Sequence, residues 1–215
     1  MKTYRNPTSD DQSNFLLRLY FGVGKEGSDL ERCNQRAYLD LSRTIWGIKQ
    51  HTDPQIHQHV ENVLRNALAA LPAAAHTFDQ EKFDLWHRAL CDSMKEQHRK
   101  DGYADESGKS LFTYGQAQKW INMALKYVFV YGEKRLPGYA PLYPFCHVPI
   151  DNIIIDQLES AKCGDVPALG GKTWSRLDDY AVYMDFQRWI RATFVGSAPL
   201  AVEFFLWQGV EAHEE

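Results

Sequence analysis

The chain predicts an all-α fold of seven to eight helices. Three observations carry that expectation. Apolar residues recur at helical spacing in segment after segment, helix start signals of the Ser/Thr-x-x-Glu/Gln kind precede several of them, and no alternating strand pattern can be placed.

Ser28-Asp29-Leu30-Glu31 is a capping box, in which the serine hydroxyl and the glutamate carboxylate satisfy amides that a helix start leaves without partners. Leu30, Cys33, Ala37, Leu41 and Ile45 then follow on one face until Gly47. A second helix starts near Thr52, carries Ile56, Val60, Val63, Ala67 and Leu71, and is expected to stop at Pro72. Thr77 to Gln80 repeats the capping logic before a third stripe of Phe83, Trp86, Leu90 and Met94. The polar segment Gln97 to Lys109, with Gly102 and Gly108, reads as an exposed, mobile loop, and a boundary between two helical lobes around a cleft would fall near 97–110.

Thr113 with Gln116 caps a fourth helix, whose buried face reads Trp120, Met123, Ala124, Tyr127 and Val130 until Gly132 closes it. Pro137, Gly138, Pro141 and Pro144 make the stretch from Gly132 to Val148 irregular. Pro149 then fits the first turn of a helix through Ile153, Ile154, Ile155 and Leu158, which puts Asp151 in that turn. Past a Gly-rich loop, Ser175 is expected to cap a long helix through Tyr180, Met184 and Phe194, with Asp178 and Asp179 as first-turn acids. A short helix with Phe204 and Trp207 follows Pro199.

A length of 215 residues suits one folding unit, 1–215, and the apolar and charged shares of 44% and 24% exclude a disordered, collagenous or coiled-coil chain. The net charge of -4 supplies no global field for nucleic acid or anionic lipid, so a polyanion site must be local. Such a local excess exists between Lys95 and Arg135, where eight basic residues meet five acidic ones. Cys33, Cys91, Cys146 and Cys163 are scattered, with no C-x-x-C pair, which fits reduced thiols in the cytoplasm. Met1 to Asp11 is polar, and no apolar run reaches the ~18 residues that a membrane helix needs, so a soluble, cytoplasmic protein is expected.

Lys119 and Asp151 are the residues that point to chemistry. Lys119 lies early in an aromatic helix, where helix amides and an apolar neighbourhood disfavour the ammonium and favour a neutral amine able to form a Schiff base. The alternative is a surface lysine whose stem packs on Trp120. Asp151, among apolar neighbours at a helix start, is held ionised by the helix amides and can stabilise a developing cation; alone, it is a simple helix-start acid. A metal-dependent nuclease using His51, His57, His59, His87 or Cys91 is the third reading. His57 and His59 face apart on a helix, His87 and Cys91 lack a second pair, and neither a metal nor a cofactor is expected. Gly170-Gly171-Lys172-Thr173 lacks the first glycine of a phosphate loop, because residue 166 is Val.

The run Gly115 to Lys119, a Pro-containing linker and then Val148-Pro149-Ile150-Asp151 resembles the helix-hairpin-helix DNA glycosylases of the endonuclease III and 8-oxoguanine glycosylase group. The separation of the lysine from the aspartate is most similar to that in the archaeal 8-oxoguanine DNA glycosylases. The resemblance covers roughly 113–207. It implies that Lys119 is a nucleophile and Asp151 its carboxylate partner, with Glu203 and Trp207 offered to a damaged purine from a C-terminal helix. On the same model Met123, Trp120 and Phe204 would wall the base, and Gly115, Gln116, Gln118, Lys109 and Lys126 would hold phosphates. The Leu-Pro-Gly-Val-Gly hairpin of better-known members is replaced by Phe112-Thr113-Tyr114-Gly115-Gln116-Ala117-Gln118, residue 150 is Ile rather than Val, and Met123 stands where an aromatic is usual. The expectation is a monomeric DNA glycosylase/AP lyase acting on double-stranded DNA. The rival reading is a helical module that keeps the scaffold to bind DNA or protein without catalysis.

Overall fold

The structure is a computed structural model that describes residues 5–22, 27–45, 56–161, 164–171 and 173–209. Among them the architecture is all-helical: α1 Ser9–Phe21, α2 Asp29–Leu41, α3 Ile56–Ala74, α4 Gln80–Lys100, α5 Tyr114–Tyr131, α6 Asn152–Ser160, α7 Tyr180–Thr193 and α8 Pro199–Trp207, with short 3-10 segments between some of them. None of these helices is long and apolar enough to cross a membrane.

Helix α5 is buried on nearly every side and packs against α2, α4 and α7, so it is the axis of the core. The capping boxes expected at Ser28/Glu31 and Thr113/Gln116 are both formed. Gly132 ends α5 with a positive φ of 78°, a conformation that costs glycine little. At the other end, a Cβ on Gly115 would sit 1.7 Å from the Trp174 carbonyl oxygen, so only glycine allows this approach of α5 to residues 174–177.

Several boundaries differ from the sequence expectation. The sequence reading placed no helix at α1, which turns only Leu17 and Phe21 toward the core while Phe15, Leu16 and Leu19 are exposed, and which starts at a Thr8/Asp11 capping box. Helix α2 ends at Leu41 in a 3-10 turn, and the expected stop at Gly47 and start at Thr52 lie outside the described residues, as do His51, Cys163 and Lys172. Pro72 does not stop α3. It has no N–H for the Leu68 carbonyl, and the Tyr139 hydroxyl donates to that oxygen at 2.9 Å instead. Aspartates, rather than the residues expected, cap three helices: Asp79 for α4, Asp151 for α6 and Asp179 for α7.

The expected mobile loop is also tied down. Residues 97–100 belong to α4, His98 and Tyr103 are buried, and an isolated bridge joins Ala104 to Ser110. The Asp105 carboxylate accepts the amides of Ser107 and Lys109 inside the turn, both at 2.9 Å.

Candidate active site

Helix α5 presents Lys119, Met123, Lys126, Tyr127 and Val130 along one face, and this face floors a cavity of about 530 Å³. Asp151 reaches the same floor from the start of α6. One of its carboxylate oxygens caps the helix, accepting the Ile154 amide at 2.9 Å, and the other pairs closely with the Lys119 ammonium. Lys119 is 5% exposed. The buried ammonium and the largely covered Asp151 carboxylate, 13% exposed, both lose hydration, and their pairing offsets that loss.

Along the floor, Lys126 forms a second pair with Glu203 of α8, at 2.6 Å. Glu203 is 1% exposed, and its Oε2 has no hydrogen-bond partner among the described residues. Burial pushes its carboxyl above the ordinary carboxylate value, Lys126 and Lys119 pull it down, and Asp151 adds to the rise. The two ion pairs therefore sense each other across the cavity. The Lys126 ammonium also stands 5.1 Å from the Phe204 ring and 5.4 Å from that of Trp207, where the negative ring faces favour it.

The opposite wall comes from α1 and α2. Tyr127 donates a close hydrogen bond to Asp40, its hydroxyl is 2.9 Å from that of Tyr20, and Arg36 pairs with Asp40 at 3.1 Å while its guanidinium lies 4.3 Å over the Tyr20 ring. Burial and the Asp40 carboxylate both push the Tyr127 phenol up, so it stays a donor.

Of the residues expected at the site, Lys119, Asp151, Met123, Phe204 and Trp207 line one cavity, and Glu203 backs it through Lys126. Trp207 is 56% exposed at the rim. Trp120 lies elsewhere: it is wholly buried, donates to the Asn34 carbonyl at 3.2 Å and leans on Tyr38, because the residue after Lys119 faces away from the cavity. Lys126, expected on a phosphate, faces into the cavity instead.

The other expected phosphate holders have their polar groups occupied within the fold. The Gly115 amide donates to the Leu177 carbonyl at 2.8 Å, Gln116 bonds Thr113 and the Thr44 carbonyl, and Gln118 bonds both ends of residue 150. Lys109 pairs with Asp178 at 2.5 Å, away from the cavity. The α5 start is thus closed by internal partners. Sequence reading missed Tyr20, Arg36, Asp40 and Ile153. Asp40 and Tyr127 are 87 positions apart and Tyr20 and Tyr127 are 107, so no local pattern announces them.

A groove of about 730 Å³ on another face is lined by Asp84, Arg88, Tyr180 and Arg188, among others. Behind it, Asp84 pairs with His147 at 2.7 Å, and His147 leads through Tyr183 to Asn122 and His87. His59 pairs with Asp101 and His87 is enclosed in this network. Among the described residues no group of three or more His, Cys, Asp or Glu could hold a metal ion. Comparison of the chain with protein-family models, with curated proteins and with solved structures finds no match.

Proposed function

We propose that the chain is a DNA glycosylase with AP lyase activity that removes a modified or oxidised, 8-oxoguanine-like purine from double-stranded DNA. In this reading it has the helix-hairpin-helix glycosylase architecture, its cavity lying between two helical lobes. The observation that carries the reading is the Lys119–Asp151 pair on the floor of an aromatic-walled cavity of about 530 Å³, a volume in the range of small-molecule sites.

The damaged nucleotide leaves the base stack and enters the cavity. Lys119 passes a proton to Asp151, and the neutral amine attacks C1' while the C1'–N9 bond breaks, its electron pair leaving with the base; Asp151 hands the proton on to the departing base and is a carboxylate again. Opening of the sugar ring gives an imine on Lys119. Loss of a 2' proton with departure of the 3' phosphate then cuts the strand. Asp151 faces the positive charge that builds on the sugar. Trp207, Phe204 and Met123 wall the base, and the Lys126–Glu203 pair meets its polar edge.

The test is incubation with a duplex carrying 8-oxoguanine, or with an abasic-site duplex, in the presence of borohydride. A covalent adduct is expected from the wild type and none from Lys119→Gln. Absence of adduct with the wild type on every damaged duplex tried overturns the reading.

A non-catalytic binding module is the second reading, favoured by the closed α5 start and the net charge of -4. It predicts salt-dependent duplex binding that Lys119→Gln leaves unchanged, without base release.

A further inference from the structure

Residues 146–150 run through the interior outside any helix or strand, and all five are buried. Backbone polar groups in such a place need partners, and here side-chain amides supply them. Gln118 of α5 holds residue 150 at both ends: its Oε1 accepts the Ile150 amide at 3.1 Å, and its Nε2 donates to the Ile150 carbonyl at 2.9 Å. Gln187 of α7 holds Val148 in the same way, at 3.0 and 2.8 Å. Each glutamine does for one peptide what a neighbouring strand would do.

The Gln118 amide is itself locked. Its Nε2 also donates to the Gly115 carbonyl at 3.0 Å, and its Oε1 also accepts from Asn122 at 3.1 Å. Asn122 is held in turn by the Tyr183 hydroxyl at 2.9 Å and by His87 at 3.2 Å. Gln118, Asn122 and Gln187 are all fully enclosed.

The register gives this clamp its meaning. Gln118 and Lys119 are consecutive on α5, and Ile150 and Asp151 are consecutive on the incoming chain. The glutamine therefore fixes the peptide immediately before the carboxylate that the lysine engages. Asp151 has little freedom of its own, since one oxygen caps α6, so where its other oxygen meets Lys119 is set by where the residue-150 peptide sits. We propose that Gln118 is a positioning residue for the Lys119–Asp151 pair, supported by Gln187 and Asn122; this rests on the glycosylase reading of that pair. Attack and proton transfer need sub-ångström placement, whereas an ion pair as such tolerates looser geometry.

The test uses the full chain with Gln118→Met, which keeps the length and loses both hydrogen bonds, and Gln118→Glu, which keeps an acceptor for the Ile150 amide and gives up the donor. Without any substrate, hydrogen exchange at the Ile150 amide is expected to quicken in the Met variant and to stay slow in the Glu variant. With an abasic-site duplex and borohydride, the trapping rate at saturating DNA is expected to fall about 100-fold in Gln118→Met, the scale of a small misplacement at a reacting centre, with duplex affinity unchanged. Gln118→Glu should fall between that variant and the wild type, and it reports on the clamp if the Met variant does not fold.

Unchanged exchange at Ile150, an unchanged trapping rate, or a loss carried wholly by DNA affinity overturns the proposal. A wild type that traps no damaged duplex removes the glycosylase reading, and the catalytic role of Gln118 with it. A wild type that traps normally beside an equally active Gln118→Met removes the positioning role alone.

Discussion

Lys126 and Glu203 show at the residue level how a buried pair ties the site to stability. Burial raises the Glu203 carboxyl, and Lys126 is the largest influence opposing the rise. Lys126→Met removes that opposition, so the carboxyl rises further. A carboxyl raised on folding costs stability where it is ionised: the cost is present above its folded pKa and gone below its ordinary value of 4.5. Lys126→Met is expected to lose about 3 kcal/mol at pH 8, as for a buried charge left without its partner, and clearly less at pH 5. Urea denaturation at the two pH values measures this, and adding Glu203→Gln should restore most of the loss at pH 8. An equal deficit at both pH values contradicts the account. The sequence already singled out Glu203 and Lys126, but not as each other's partner, since 77 positions separate them.

Helix starts and stops depend on which polar group reaches an unpaired amide or carbonyl first. At Ser28 and Thr113 the reciprocal partner is three residues on, so the caps were legible in the sequence. Near residues 77, 149 and 175 more than one start was available, and the aspartate that the chain's path carried to the helix end took the role. Pro72 shows the limit of a local rule. It breaks a helix when the carbonyl four residues back is left alone, and here Tyr139, 71 positions from Leu68, meets that carbonyl. Tyr139→Phe should therefore leave a buried carbonyl unsatisfied and lower stability by about 1 to 2 kcal/mol, read as a reduced urea midpoint with unchanged slope. A variant as stable as the wild type would show that α3 tolerates Pro72 for another reason.

The charge distribution of the whole molecule bears on how DNA would be held under the proposed function. The cations of the 95–135 stretch are largely engaged inside the chain: Lys95 and Lys109 on Asp178, Lys119 on Asp151, Lys126 on Glu203 and Arg135 on Asp29. Few are left for phosphates, and the net charge is -4. Duplex affinity is therefore expected to depend only shallowly on salt, with a slope of log K against log salt of about -2 to -3, since each neutralised phosphate contributes about -0.9. Titration by fluorescence anisotropy over a range of salt tests this. A slope steeper than about -6 would mean that the internal pairs open on binding.

Local chemistry alone determined the helical class and most helix positions. Those features follow from spacing along one turn and from caps within three residues, interactions that short stretches of chain contain in full. The resemblance to the glycosylases, not a local pattern, linked Lys119 with Asp151, and only the tertiary structure brings them together. Tertiary structure alone decided the second wall of Tyr20, Arg36 and Asp40, the turning of Trp120 into the core, and the glutamine clamp on residues 148 and 150. Each of these depends on which face of one helix meets another, and that is settled by packing between segments far apart in the chain, where periodicity carries no information.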